Sequence, residues 1–567
     1  MKTCFKIIVI LFCLSSNFQL SASSANSKLY ELISQYQADK GALERKYTLL
    51  NEEYFTRMDK LYNDWYAVLN KMNFDALSQT EKIDYVLFRN LLDKSIDENT
   101  IKRNEYLEVR HVIEFSENLI HFIQDRRRAA PINSRQIAEE IHKAVGQIKD
   151  LQASLKKGEA FGSWIVASHA ADLTANLRVN LKSAVDFYMN YHPEFTWWVD
   201  QPWQVLEKEL KAYEAFLKDF YSNKDLKDDG SGIIGKPIGR KALELQLARE
   251  FIPYTPEELI EIANKEFAWC EEQMLKASAK LGFGNDWKAA LEYVKDKHVP
   301  VGQQPFLVNE LAEEAIKYVE DHDLLTLDEM AKETWRMDMM SPQQQLFAPF
   351  FLGGERVLIA YPTDDMPHDA KVMSLRGNNP HFTRAVVHHE LIPGHHLQQF
   401  MNQRYKPYRR AFSTPFWTEG WALYWELNLW DKGFAKSTED EVGMLFWRMH
   451  RCARIIFSLS YHLGQMTPQQ SIDMLVDKVG HERANAEAEV RRSFMGNYGP
   501  LYQIAYMIGG MQFYALKKEV VASGKMTEKA FHDIILRNNS IPVELVRAIL
   551  TEQKLTPDFK TNWRFKY

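Results

Sequence analysis

Apolar residues recur at helical spacing through most of the chain. Leu29-Tyr30-x-Leu32-Ile33 and Ile137-x-x-x-Ile141-x-x-Ala144-Val145-x-x-Ile148 each put their apolar side chains on one stripe of a 3.6-residue turn. Residues 26 to about 225 therefore read as a succession of amphipathic helices, with few glycines and no repeat period. The polar run Lys227-Asp228-Asp229-Gly230-Ser231-Gly232 breaks the pattern and marks a boundary between lobes. Helices resume at Arg240. Thr255-Pro256-Glu257-Glu258 is a start signal, with Thr255 as N-cap and Glu258 at the capping-box position, for a helix running past Cys270. Between Leu325 and Tyr361 the pattern turns irregular, and residues 355–361, bounded by Gly353-Gly354 and Pro362, read as a strand. Asn379-Pro380 and Thr414-Pro415 begin two more helices, an N-cap followed by proline at the first helical position. The second is so aromatic (Phe416, Trp417, Trp421, Tyr424, Trp425) that it must be buried.

Length and charge narrow this picture. A chain of 567 residues exceeds one small core, so more than one lobe is expected. A formal charge of -6 with intermixed signs argues against nucleic acid as the main partner, and Arg126-Arg127-Arg128 reads as a solvated helix end. Residues 1–23 read as a signal peptide: Lys2 and Lys6 precede an apolar run too short to span a bilayer, and Ser21-Ala22-Ser23 supplies small residues for cleavage. The mature protein is expected outside the cytoplasm, periplasmic or extracellular, and Phe12 before Cys13 argues against lipidation. No later stretch is long and apolar enough to be an integral membrane segment. Cleavage leaves Cys270 and Cys452, which lack the spacing of a metal cluster or redox motif and read as two unrelated buried thiols.

The chemistry concentrates in residues 388–396, His-His-Glu-Leu-Ile-Pro-Gly-His-His. Neutral imidazoles are the usual nitrogen ligands of zinc, and a glutamate beside them can serve as general base. In a His-Glu-x-x-His helix the histidines share one face. Here the second histidine follows His389 by six or seven residues, which on an unbroken helix means either another face or a rise of about 10 Å. Ligands held about 2.0–2.1 Å from one ion then require the helix to break between them, and Pro393-Gly394 sits at that point. Spacing alone leaves His388 open as the first ligand and His396 as the second. In the aromatic helix Glu419 and Glu426 share a face, and a carboxylate among tryptophans must be neutralised, paired or metal-bound. Glu419, in the first turn, is favoured as third ligand, with Glu426 supporting the site.

His389-Glu390-x-x-Pro393-Gly394-His395-His396-x-Gln398 followed by Glu419-Gly420-Trp421-Ala422-x-Tyr424-x-Glu426 resembles the bacterial family called domain of unknown function 885. That family is similar to zinc metallopeptidases of the gluzincin type. The resemblance, strong over about residues 350–510, implies His389, His395 and Glu419 as ligands of one zinc ion and Glu390 as base. It implies a donor to the reacting carbonyl from Tyr506 or from His462, although Ser458 stands where the family has an acid four residues before this histidine. Arg492, in Glu489-Val490-x-Arg492, could recognise a substrate carboxylate through its planar fork. Pro500-Leu501-Tyr502 departs from the family's Pro-Gly-Gln segment, while Tyr506 and Gly509 are kept. By analogy with such peptidases, the strand at residues 355–361 would pair with an extended substrate.

These readings converge on a mainly α fold: large, helical and two-lobed, metallopeptidase-like, with a small sheet beside the active-site helices. The expected organisation is a signal peptide (1–23), an N-terminal helical region (24–225) and a catalytic region (226–567). The expected function is hydrolysis of amide bonds in peptides, short ones if the cleft is deep, by metal-activated water. The alternatives are a metal-dependent hydrolase of non-peptide amides or esters, and a non-catalytic exported metal-binding protein.

Overall fold

The computed structural model describes residues 28–157, 163–222, 228–345, 350, 352–496 and 498–565. The signal segment and part of the expected boundary near residue 225 lie outside them. The chain is mainly helical. The first helices are α1 (Lys28–Lys46), α2 (Glu52–Asn70), α3 (Gln79–Val109), α4 (Ser134–Lys156), α5 (Trp164–Tyr188) and α6 (Pro193–Ser222). After α7 (Pro256–Lys280) come strands β1 (Met337–Met339) and β2 (Val357–Ile359). The functional region follows as α8 (Pro380–Glu390), α9 (His395–Arg404), α10 (Pro415–Asp431), α11 (Thr438–His462), α12 (Arg483–Met495) and α13 (Tyr502–Val520), with α14 (Val543–Leu550) near the end. Shorter helices connect these. Among the described residues, no helix is long and apolar enough to cross a membrane.

The start signals act as their chemistry requires. The Asn379 side chain accepts from the amides of His381 and Phe382, Thr414 accepts from Phe416, and Thr255 with Glu258 forms a complete capping box. The aromatic helix α10 is buried, with Trp417, Trp421, Tyr424 and Trp425 all inaccessible to solvent. It packs most intimately on α13, and two glycines permit the approach. A Cβ on Gly420 would stand 2.6 Å from the Gly509 Cα, and one on Gly509 would stand 2.0 Å from the Phe416 carbonyl oxygen. No other residue fits at that crossing.

Two large apolar clusters form the interior. The smaller joins the end of α3 with α4, α5 and α6. The larger contains the site helices but also Leu29, Ile33, Met58, Leu61, Phe88 and Leu92 of α1–α3. The interior thus draws on both sides of residue 225, because α1 and α3 pack on the 3-10 turn at Pro407–Phe412 and α3 also packs on α14. Cys270 and Cys452 are both buried free thiols. They are neighbours rather than unrelated, since Cys270 lies beside Cys452 where α7 crosses α11, and burial pushes the Cys452 thiol up.

The strand expected at residues 355–361 is present over its central part, but its edge is taken. β1 pairs with β2 in parallel, Met337 opposite Val357 and Met339 opposite Ile359. On the other side Leu352 and Leu358 exchange backbone hydrogen bonds of 2.9 and 2.8 Å. A substrate backbone therefore finds no free edge on β2 at Leu358, which corrects the analogy drawn from sequence.

Candidate active site

The break between α8 and α9 brings His389 and His395 together. Gly394 makes it possible: a Cβ there would stand 1.9 Å from the His389 carbonyl oxygen and 2.5 Å from that of His388. The Gly394 amide donates to the His388 carbonyl (2.9 Å), and Trp421 of α10 donates its indole N–H to the Pro393 carbonyl (2.8 Å). The aromatic helix thus holds the turn in place. The two imidazole rings stand 4.8 Å apart between centroids, nearly perpendicular.

Glu419 closes the group. Its Oε2 lies 3.6 Å from His389 Nε2 and 3.2 Å from His395 Nε2. That oxygen is buried and has no hydrogen-bond partner among the described residues. Tetrahedral donors about 2.0–2.1 Å from a zinc ion stand about 3.3 Å from one another, so this donor set and spacing fit such an ion. Glu390 also offers an oxygen, within 4.8 Å of donor atoms on both histidines. The buried, unpartnered oxygen facing both Nε2 atoms favours Glu419 as the ligand and leaves Glu390, half-buried on the cavity wall, to face what enters.

The surroundings orient these groups. Glu426 Oε1 stands 2.6 Å from His389 Nδ1 and accepts from Arg451 (3.1 Å), so the ring presents Nε2 toward Glu419. Gln398 donates to the Thr418 carbonyl and lies 3.1 Å from His395 Nδ1. Tyr502 donates its hydroxyl to Glu419 Oε1. Burial disfavours charge on His389, but Glu419 and Glu426 outweigh it and hold the ring at about 9. Burial likewise opposes ionisation of Glu419, and the His395 and His389 rings overcome it and hold the carboxyl well below its usual range. The pocket draws positive charge toward its carboxylates.

The adjacent histidines have other roles. His388 is fully buried against the Phe434 ring, and burial lowers it to about 4. His396 directs both ring nitrogens at carbonyl oxygens, 3.2 Å from Glu355 and 2.9 Å from Ala331, and ties α9 to the approach to β2. Neither replaces His389 or His395.

A cavity of about 400 Å³ opens beside this group, within the size range of small-molecule sites. Tyr506 lines it, its ring stacked at 15° and 6.1 Å on His389. Burial, then Glu419, pushes the Tyr506 phenol upward, so it keeps its proton as a donor. Three arginines also line the cavity. Arg451 and Arg454 set their guanidinium carbons 4.8 and 4.4 Å from its ring, and Arg492 sits 4.9 Å from the Tyr498 ring. Arg454 donates to Glu489 (2.6 Å), which Arg492 approaches only to 3.7 Å.

Of the residues expected from sequence, His389, Glu390, His395, Glu419, Tyr506 and Arg492 meet at this cavity. His462 does not. It packs against Tyr461 and Phe494, away from the cavity wall, and burial lowers it to about 4. The expectation that it touches a reacting carbonyl is corrected: the end of α11 points it elsewhere. Tyr502, Arg451 and Arg454 were missed as site residues. Tyr502 lies four residues before Tyr506, and Arg451 and Arg454 are three apart, spacings that share a helix face and could have signalled both.

Over residues 35–550 the chain matches the family described as "Bacterial protein of unknown function (DUF885)". No curated protein matches. Solved structures of similar fold include the following two. One, from Shewanella oneidensis, is described as "a putative lipoprotein of unknown function"; it is 19% identical, with a TM-score of 0.69 over 93% of this chain and 100% of that one. The other, "the putative lipoprotein from Colwellia psychrerythraea", is 14% identical, with a TM-score of 0.58 over 94% and 99%.

Proposed function

Because the chain belongs to the bacterial family of unknown function DUF885, whose description assigns no chemistry, we propose from the site itself that it is a zinc-dependent metallopeptidase of gluzincin type. The observation that carries the proposal is the unpartnered Glu419 Oε2 between two histidine Nε2 atoms, with Glu390 beside it on the cavity wall. His389, His395 and Glu419 would hold the ion. Zinc bound by three protein groups supplies a water with a pKa of about 7 and a Lewis acid for a carbonyl.

The chain's own residues supply the rest. Glu390 accepts the proton of the attacking water and returns it to the leaving nitrogen. The Tyr506 phenol donates to the oxygen on which negative charge develops. Glu426 keeps the His389 proton on Nδ1, and Tyr502 fixes the second oxygen of Glu419. Export belongs to the proposal. Residues 1–23 have the charged and apolar parts of a signal peptide, and the two structures of similar fold carry a lipoprotein description.

The test is metal analysis of purified protein followed by digestion of a peptide mixture read by mass spectrometry. One zinc per chain and cleavage by wild type are expected. Glu390→Gln should keep the metal and lose turnover by about 10²-fold or more. A variant that cleaves as fast as wild type refutes the role of Glu390, and a protein that never takes up a transition metal refutes the whole reading.

A further inference from the structure

On the cavity wall, against the Tyr506 and Tyr498 rings, three guanidinium groups meet two carboxylates. Arg451 is bound to Glu426, and Arg454 to Glu489. Arg492 shares Glu489 only at 3.7 Å, so one positive charge is left over. The nearby His450 and His481 do not add to it: they hydrogen-bond each other at 2.9 Å, and burial holds both in the neutral form. Buried N–H groups also go unmatched here. Arg451 Nε, Arg454 Nη1 and Arg492 Nε have no hydrogen-bond partner among the described residues, and the Arg454 side chain is only 4% exposed. A surplus cation with unmatched planar donors, buried on the wall of a cavity, is complementary to a carboxylate.

We propose that this wall receives the free C-terminal carboxylate of a peptide, which makes the protein a carboxypeptidase. The inference rests on the peptidase reading above and deepens it. The geometry also limits the product. Arg454 lies 4.4 Å from the Tyr506 ring, and that ring lies 6.1 Å from the ring of His389. The distance from His389 to the Arg454 guanidinium cannot exceed the two together, and an extended residue spans about 3.3–3.6 Å, so about three residues at most fit between that ring and a carboxylate held by Arg454. The oxygen of water bonds to the carbonyl carbon, the C–N bond breaks, and a proton passes to the departing nitrogen. The products are the shortened peptide acid and a free C-terminal fragment of one to about three residues.

The experiment uses zinc-loaded Glu390→Gln protein in titration calorimetry with tetra-alanine, its C-terminal amide and its N-acetyl form. The amide should bind about ten-fold more weakly or worse, while acetylation should change little. Arg492→Gln, which leaves the Arg454–Glu489 pair intact, should bring acid and amide close together. Equal binding of acid and amide overturns the proposal. In parallel, wild type is given the acid and the amide as substrates. Release of a short C-terminal piece from the acid, slowed for the amide, supports it; cleavage of both at equal rate overturns it and leaves a metallopeptidase of another kind. Acid-selective binding with no cleavage of any peptide keeps the carboxylate site and removes the peptidase reading beneath it.

Discussion

Replacing Gly394 by alanine asks whether the break between α8 and α9 builds the site. The added Cβ would stand 1.9 Å from the His389 carbonyl oxygen and 2.5 Å from that of His388, both backbone atoms, where real Cβ contacts essentially never fall under 3.0 Å. The His389 carbonyl must therefore retreat by more than about 1 Å, carrying its imidazole with it. Catalytic and metal groups tolerate displacements of about 0.5 Å. A 1 Å misplacement costs about 10²-fold in rate, equivalent to about 2.7 kcal/mol of transition-state stabilisation. Gly394→Ala should thus lose zinc under mild chelation and fall about 10²-fold or more in kcat/KM. Its helical circular dichroism should remain, because the larger apolar cluster lies mostly outside the turn. Gly146→Ala is the matched control. It sits in α4 with nothing within 4 Å of a new Cβ, and should be neutral or stabilising by up to about 1 kcal/mol. Metal content by mass spectrometry, activity and thermal melts decide the matter. Full zinc occupancy and activity within a few-fold of wild type in Gly394→Ala would refute the reasoning.

Two further changes probe the support of the site and the pH dependence of the fold. Glu426→Gln keeps an acceptor for His389 Nδ1 but removes the charge that Arg451 and His389 share, so zinc affinity measured by chelator competition should drop about 10- to 100-fold. His388→Gln should leave that affinity unchanged, since His388 faces Phe434; a comparable drop in both would show that the effect is merely loss of packing. Glu544 in α14 is fully buried, and burial pushes its carboxyl up from 4.5 to about 7 against the opposing pull of Arg547. The folded state then binds a proton that the unfolded chain has already released. The stability it contributes is complete below about pH 4.5 and disappears as pH rises through about 7, a loss on the order of 3 kcal/mol. Glu544→Gln should flatten that decline and melt higher than wild type at pH 8; parallel stability profiles between pH 4.5 and 8 would contradict it.

Much of this protein is legible in its amino-acid sequence. The caps at Asn379, Thr414 and Thr255, the helix break at Pro393-Gly394 and the burial of α10 follow from local rules, while the grouping of His389, His395, Glu390 and Glu419 is implied by the family resemblance. Backbone propensity and side-chain period act within a few residues and are written directly in the chain. What they leave open is which of several neighbouring side chains faces which partner. The packing of α8 turns His388 onto Phe434 and His389 onto Glu426, and the contact of α9 with the loop before β2 draws His396 away to carbonyls. The same packing seals β2 with Leu352, sends His462 off the cavity, and gathers Arg451, Arg454 and Arg492 with Tyr502 around it. Apart from the Leu352 pairing, such contacts join residues tens of positions apart, whose meeting depends on how whole helices cross, and no local pattern records a crossing.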